Sequence, residues 1–526
     1  MSGDVIVGLD AGTSVIKAIA FTKNGEQIGV ASRPNTYNVL PDGGVEQEMV
    51  RTYEDAAAAL RDLGTKVEGL KDRIIAVAIT GQGDGCWLLD EAHKPVHDGW
   101  LWLDGRAVAQ AERLAASDVA KTIYHHTATG LNVCQMRTQL AYMDEHMPEV
   151  VERAAIALHC KDWLYLNLTG MAVQDTSEAT YTFGDYRTRQ YCDPVIDALG
   201  LRHLKSLLPP IVDGAVTSHP LTAAAAKETG LPEGLPVILG YLDIMCTAIG
   251  GGLFDSAAQP GLSVLGSTGV HMRFVPDADG VVAGDNPSGY VIPFPGKALG
   301  QLQTNMAATL NIDWMLGLAT EILAAEGVQR TQAELLDGLD ERVIAAKPGA
   351  ALFHPYITLA GERGPFADPR ARASFTGIDQ SVGWFDLVRA VYEGLAFAAR
   401  DCYAAMGPTP SEIRMSGGAA RSKTLRSILA AVLNRPIRTV SRAEAGAAGA
   451  AMIAAVQQGL YSSLDACVEE WVMPLLNAPE APDPHLVSFY DALFPRYVET
   501  RHALAPTWST LASTRATLRS SAGDAP

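Results

Sequence analysis

Short apolar runs separated by polar turns open the chain. Val5–Leu9, Val15–Phe21 and Gln27–Ser32 have strand composition, and Asn24-Gly25 supplies turn chemistry between the last two. Ile74–Thr80 reads as a further strand and stops at Gly81-Gln82-Gly83-Asp84-Gly85. Helical patterns fill much of the next hundred residues, including the run after Lys161-Asp162. Near the middle, Gly261–Leu265 passes through Gly266-Ser267-Thr268-Gly269 into Val270–Phe274. Leu387, Val391, Leu395 and Ala398 then recur at helical spacing. Ile413–Met415 is a short strand that runs into Ser416-Gly417-Gly418-Ala419. The next helix carries Leu425, Ile428, Leu429, Val432 and Leu433 on one face. An Ala/Gly-rich helix spans Ala445 to Gln458, and the Ser/Thr/Ala-rich end after Ala505 has the composition of a loosely held tail.

This order is α/β throughout. The stretches GLDAGTSVIKAIAF and GLSVLGSTGVHMRF share a strand–turn–strand pattern with glycine and hydroxyl residues in the turn, one near the start of each half. Turn chemistry shared by chance would give the same pair. A chain of 526 residues exceeds a single core. A boundary near Gly250–Gly261 is expected, giving domains over 1–255 and 256–500 and a tail over 501–526.

Composition narrows the chemistry. With 48% hydrophobic and 19% charged residues the chain is an ordinary globular protein. The formal net charge of −18 repels nucleic acid and anionic membrane surfaces, so an anionic ligand needs a local site. The seven cysteines are scattered and never spaced C-x-x-C, which argues for thiols in a reducing compartment and against zinc clusters. The start, MSGDVIVG, lacks the basic region of a signal peptide, and a cytoplasmic location is expected. Asp243 interrupts the least charged stretch, Pro236 to Phe254, which favours buried structure over a membrane span. Walker, Rossmann, H-E-x-x-H and G-x-S-x-G motifs are absent, and the histidines form no obvious ligand set.

The opening turn, Asp10-Ala11-Gly12-Thr13-Ser14, has more polar equipment than turning requires. Gly12 allows close backbone approach, and the Thr13 and Ser14 hydroxyls can donate to phosphate oxygens. Asp10 helps a phosphate only with Mg²⁺ or its waters between them. Lys17 adds a positive charge on the following strand, which an Asx-turn alone leaves unexplained. Gly266, Ser267 and Thr268 repeat the donors without the acid. Two such hairpins, one per domain, could grip a polyphosphate. Asp243 reads either as a helix N-cap or as a general base; taken singly, the cap is favoured. Gly417-Gly418 could lie flat against a purine and ribose, though glycine pairs punctuate loops everywhere.

Together these segments resemble the FGGY family of carbohydrate kinases, from about Val5 to Gln458. Its first phosphate motif is similar to Asp10–Ser14 with Lys17, and its second to Gly266-Ser267-Thr268-Gly269. Its adenosine motif is similar to Gly417-Gly418-Ala419-Ala420-Arg421-Ser422. The resemblance places the catalytic acid at Asp243 in GYLDIMCTAIGGG. It implies two ribonuclease-H-like domains of the actin/hexokinase-like ATPase fold flanking a nucleotide cleft. ATP and Mg²⁺ would be the cofactors, the metal held by Asp243 and, through water, by Asp10. A sugar or polyol would be the partner, and a homodimer is allowed.

The acceptor is expected to meet Gln82, Gly83, Asp84, Trp102, Asp104, Arg106 and Asp243. Xylulose kinases have G-Q-M-H-G where this chain has Gly81-Gln82-Gly83-Asp84-Gly85, and glycerol kinases have Arg-Glu at the third and fourth positions. Gly83 is expected to leave room beside Asp84. A carboxylate suits a vicinal diol. The segments DAGTSVIKA, QGDG, WLWLD and ALHCKDWLYLNLTG resemble most those of family members that act on erythritol. The resemblance implies erythritol ahead of other four- and five-carbon polyols or ketoses such as xylulose and ribulose, with glycerol third. An actin-like or chaperone-like ATPase is the reading outside this class.

Overall fold

The apolar runs become strands in a computed structural model that describes residues 4–521. In chain order the strands that place functional residues are β1 (Val5–Ala11), β2 (Val15–Thr22), β3 (Gln27–Pro34), β4 (Ile74–Gly81), β5 (His219–Pro220), β6 (Pro236–Leu239), β7 (Gly261–Leu265), β8 (Gly269–Val275), β9 (Ile413–Ser416) and β10 (Ile437–Thr439). The corresponding helices are α1 (Cys160–Thr169), α2 (Thr176–Phe183), α3 (Asp243–Gly250), α4 (Thr309–Ala325), α5 (Trp384–Ala405), α6 (Lys423–Leu433), α7 (Ala445–Gln457) and α8 (Pro484–Ser521).

The chain forms two units. The first comprises residues up to Gln259 with Phe274–Gln301 and Ser441–Leu476; the second comprises Pro260–Arg273, Leu302–Val440 and the residues from Asn477 on. The first unit's large sheet has the order β5-β6-β4-β1-β2-β3. β1 pairs antiparallel with β2 and parallel with β4, and β4 pairs parallel with β6. Val5, Ile6, Val7 and Leu9 are all fully buried, as expected of a central strand covered on both faces. Leu60 and Leu63 from one helix and Leu164 and Leu168 from α1 share the core of Val5, Val7 and Leu9. In the second unit the order β8-β7-β9-β10 repeats the pattern, with β7 antiparallel to β8 and parallel to β9. The two similar stretches of sequence are therefore two hairpins with the same pairing partners, which chance turn chemistry does not require. α5 and α6 supply Val388, Val391, Leu395, Ile428 and Val432 to the second core.

Two differences from the sequence reading have physical causes. The Ala/Gly-rich helix α7 lies late in the chain yet packs in the first unit. Its small residues allow this: a Cβ on Gly8 of β1 would lie 2.3 Å from the Ala447 carbonyl oxygen. From Ala505 to Ser521 the chain is not a loose tail, because α8 runs through it; residues 522–526 of the expected tail lie outside the described residues. Trp508 is buried there, with ring centroids 5.5 Å from Tyr356 and 6.1 Å from Phe366, so one aromatic anchor outweighs the polar composition.

Candidate active site

In the first unit, pairing of β1 with β2 sets Asp10 opposite Lys17, and pairing with β4 sets it beside Thr80. Asn35 braces the intervening turn, its side-chain amide donating to the Gly12 carbonyl (2.8 Å) and its backbone N–H to that of Ser14 (2.9 Å). The Ser14 side chain is exposed, whereas the Thr13 hydroxyl accepts from Trp102 Nε1 at 2.9 Å. Lys17 Nζ donates to both Glu444 oxygens, at 3.0 and 2.9 Å. Glu444 is the N-cap residue of α7 and was not evident as a site residue in the sequence, 427 positions away. The Asp10 carboxyl is pushed up to about 6, first by burial and then by the charge of Glu444, with Lys17 opposing.

Asp243 is the first residue of α3, and Leu242 holds the cap position with no side-chain cap. The N-cap alternative is therefore not what the fold uses. Oδ1 of Asp243 accepts from the Ile244 N–H at 2.6 Å. Burial, followed by the charge of Asp10, pushes the Asp243 carboxyl up to about 8. Behind it, the Leu242 N–H donates to Ser177 Oγ at 2.9 Å, and Ser177 donates to Asp175. α3 rests against α7 at two points where only glycine fits. A Cβ on Gly449 would lie 1.9 Å from the Cys246 carbonyl oxygen, and one on Gly250 2.1 Å from that of Ala445. Gly446 leaves the same kind of space beside Asp10, whose Oδ2 a Cβ there would approach to 2.7 Å. Among the described residues, none donates a hydrogen bond to the Asp10 carboxylate. Asp10 and Asp243 are two hard oxygen donors, the charge of the first raising the proton affinity of the second, and such a pair fits a small divalent cation such as Mg²⁺.

The turn after β4 carries residues expected on the acceptor side. Gln82 is buried, donates to Gln47 Oε1 at 2.7 Å, and keeps an Oε1 without a hydrogen-bond partner. Asp84 has φ 55°, and its carboxylate accepts from Tyr181 (2.8 Å, Oδ1) and Cys134 (3.1 Å, Oδ2). The room expected beside Gly83 is not there. A Cβ on Gly83 would lie 1.8 Å from Leu242 Cδ1 and 3.1 Å from Glu178 Oε1, so the chain itself fills the volume that a larger residue would take. Asp104 is buried and engaged: it accepts from the Val45 N–H (2.7 Å), the Arg106 N–H (3.0 Å) and the Arg106 guanidinium (2.7 Å). Arg106 also pairs with Glu46 at 2.7 Å and lies 3.5 Å over the Trp100 ring. Asp104 thus holds Arg106 in place.

Behind Asp84 lies a fully buried ionic cluster of His159, Lys161, Asp162, Asp175 and Glu178. Lys161 Nζ contacts Glu178, Asp175 (2.6 Å) and Asp162 (3.4 Å). His159, Asp162 and Glu178 bring three donor atoms within 4.8 Å of one another. The Lys161 ammonium pairs with both carboxylates of that set, which already supplies their cation. Glu178, Tyr181 and Cys134 lie 94, 97 and 50 positions from Asp84. No spacing in the sequence marks them. The only legible hint is the charged pair Lys161-Asp162 beside the apolar run of α1.

In the second unit, the turn between β7 and β8 sits against the start of α4. The Thr309 hydroxyl donates to the Gly266 carbonyl at 2.9 Å and the Ala308 N–H to that of Ser267 at 2.7 Å. Ser267 and Thr268 remain exposed. After β9, Gly417 has φ 89°, and a Cβ there would lie 2.5 Å from the Leu265 carbonyl oxygen. Gly418 faces open space, with the Arg421 guanidinium 3.7 Å from where its Cβ would be. Ala419 is buried. Ser422 caps α6, accepting from the Leu425 N–H (3.1 Å) and donating to Asp340 Oδ1 (2.7 Å).

Comparison with known proteins gives two consecutive matches. Residues 5–250 match the N-terminal domain, and residues 261–458 the C-terminal domain, of the FGGY family of carbohydrate kinases. The chain is 52% identical over 513 residues to the erythritol kinase of Brucella abortus (strain 2308), covering 97% of this chain and 98% of that protein. It is 26% identical to the xylulose kinase of Bacillus subtilis (strain 168), covering 94% and 95%. Among solved structures, the xylulose kinase from Rhodospirillum rubrum superposes with a TM-score of 0.85 at 25% identity, covering 96% of this chain and all (100%) of that one. The Plasmodium falciparum glycerol kinase with ADP shares the fold, with a TM-score of 0.80 at 18% identity and coverage of 95% and 98%.

Proposed function

The chain belongs to the FGGY family of carbohydrate kinases, and on that premise we propose that it transfers the γ-phosphoryl group of ATP to erythritol. The observation that carries this reading is the 52% identity to an erythritol kinase across nearly the whole of both chains. The polar turn that opens the sequence supports it, as does an acid, Asp84, where xylulose kinases carry histidine.

In the first unit, the turn Gly12–Ser14 and Lys17 would meet phosphate oxygens, and Asp243 would accept the proton of the attacking hydroxyl. The hydroxyl oxygen bonds to the γ-phosphorus as the bond from that phosphorus to the β–γ bridging oxygen breaks, and ADP leaves. In a loose transition state positioning and charge stabilisation dominate, so Asp243 need only be unprotonated and aligned. Asp243 and, through water, Asp10 would hold Mg²⁺, which supplies charge neutralisation on the phosphates. In the second unit, Gly266, Ser267 and Thr268 offer further phosphate donors, and Gly417, Gly418, Ala419 and Ser422 would form the adenosine side. Gln82, Gly83, Asp84, Trp102, Asp104 and Arg106 would form the acceptor side, with Asp104 acting through Arg106.

No helix among the described residues is long and apolar enough to cross a membrane. A cytoplasmic place of action is supported by the seven cysteines, all buried and none in a disulfide. ADP release over a panel of erythritol, xylitol, ribitol, glycerol, xylulose and ribulose tests the assignment. Erythritol is expected to give the highest kcat/KM, with little ATP turnover when no acceptor is present. Equal or faster phosphorylation of xylulose or ribulose defeats the erythritol reading. Turnover indifferent to every acceptor defeats the kinase reading.

A further inference from the structure

Three contacts converge on Asp84, whose left-handed backbone (φ 55°) is uncommon for residues other than glycine, asparagine and aspartate. The Glu178 carboxylate accepts its N–H at 2.9 Å and is itself tethered by Lys161, so the turn is held from a buried ionic base. Tyr181 donates to Oδ1 at 2.8 Å and the Cys134 thiol to Oδ2 at 3.1 Å. Tyr181 is fully buried, and its ring meets that of Tyr290 edge-on with centroids 5.6 Å apart, so its hydroxyl has little freedom to move. The Tyr181 oxygen lies 3.4 Å from Glu178 Oε1, and its single proton goes to the shorter contact.

We propose that Tyr181 and Cys134 are positioning residues that set the preference for a polyol over a ketose by fixing the Asp84 carboxylate with one acceptor site open on each oxygen. This rests on the reading of Asp84 as an acceptor-side ligand. Each carboxylate oxygen has two lone pairs. One donor on each leaves two acceptor sites at fixed orientation, which two neighbouring hydroxyl groups satisfy together. A ketose carbonyl at that point brings an acceptor to an acceptor and leaves both unpaired, the arrangement that discriminates most strongly. The terminal torsion of an aspartate is otherwise broad, so without the two donors the carboxylate turns and the distinction blurs.

Tyr181→Phe is expected to lower kcat/KM for erythritol about 10–50-fold, mainly through KM, with the KM for ATP within about twofold. Its kcat/KM for xylulose should change less than about threefold, so the erythritol-to-xylulose ratio narrows about tenfold. Cys134→Ala should move the ratio the same way by a smaller factor, because a thiol is a weak donor. In an Asp84→Ala background, adding Tyr181→Phe should cost nothing further. Three outcomes overturn the proposal, and they are distinguishable. If Asp84→Ala leaves erythritol kinetics unchanged, the reading of Asp84 fails and the proposal with it. If Asp84→Ala costs tenfold or more while Tyr181→Phe leaves the ratio unchanged, the positioning role alone fails. If Tyr181→Phe costs the same with and without Asp84, Tyr181 acts by another route. Should Tyr181→Phe not fold, judged by its melting curve, Cys134→Ala and its double variant with Asp84→Ala decide on the same readouts.

Discussion

Gly417 has φ 89°, and a methyl group there would come within 2.5 Å of the Leu265 carbonyl oxygen, a backbone atom that cannot swing away. Its neighbour Gly418 faces open space, with only the Arg421 guanidinium 3.7 Å from its Cβ direction. The chain's geometry therefore requires glycine at Gly417, whereas at Gly418 only the proposed adenosine would require it. Gly417→Ala is expected to lose about 1–3 kcal/mol of stability, from strain at positive φ and from overlap with Leu265. Gly418→Leu should stay within about 0.5 kcal/mol of the parent, as exposed substitutions do, and raise the KM for ATP about tenfold. Urea titrations and ATP kinetics on both variants check this. Equal loss of stability in the two, or unchanged ATP kinetics in Gly418→Leu, would refute the division. Nothing in Ser416-Gly417-Gly418-Ala419 tells which glycine does which, because φ and the position of Leu265, some 150 residues earlier, are properties of the folded chain.

At the scale of elements, the seam between α3 and α7 lies beside both acids, Asp243 on α3 and Asp10 on β1. Gly449 and Gly250 bring the two helix backbones together, Gly8 seats α7 on β1, and Gly446 leaves space for Asp10. In an isolated helix Gly449→Ala would be favourable by about 1 kcal/mol. Here the new carbon would lie 1.9 Å from the Cys246 carbonyl oxygen, and overpacking against backbone costs more than propensity returns. The expected result is a net loss of about 1–3 kcal/mol together with a fall in kcat, since α3 must shift and carries Asp243. A Gly449→Ala protein as stable as its parent would show the seam to be loose. The sequence reveals much at this scale, for physical reasons. Strands buried on both faces leave uninterrupted apolar runs, so β1, β4 and β7 were legible to within two residues. The turns that follow them announce themselves by glycine and hydroxyls. The contacts among α2, Cys134 and Asp84 leave no periodic trace, and the placement of α7 depends on glycine fit across the fold. α8 was misjudged from polar composition, because a single buried tryptophan weighs little in a count of residue types.

For the whole molecule, burial raises the proton affinity of the site's acids, from which a pH dependence of function is expected. Asp10 is raised to about 6 and Asp243 to about 8, while burial also raises Glu178. In the unfolded chain such carboxyls titrate near 4. Between pH 4 and 8 these groups hold protons in the native protein that the unfolded chain has released, so their contribution to stability falls as pH rises through that window. His271 and His354, lowered to about 4 by burial, contribute in the opposite sense up to the usual histidine range. Asp162, lowered mainly by Lys161 against its burial, also opposes the raised acids and keeps its contribution until the pH drops below the usual carboxylate range. Asp243→Asn removes the largest of the raised values without adding a charge. Its melting temperature relative to the parent is therefore expected to climb between pH 5 and pH 9, by about 1–2 °C for each kcal/mol of relieved cost in a chain of this size. The same variant should lose about 10²–10⁴-fold in kcat, because the attacking hydroxyl has no acceptor for its proton. In the parent, kcat/KM for the polyol should rise with pH toward 8 as Asp243 ionises. Binding of Mg²⁺ to the free enzyme should release protons and tighten with pH, since the cation competes for the same carboxylates. The two readouts separate two roles of one side chain. A variant that loses activity while its melting difference stays flat from pH 5 to pH 9 would show Asp243 to be already ionised in the free enzyme. A variant that keeps more than a tenth of the parent's turnover would remove Asp243 from the proton-transfer step.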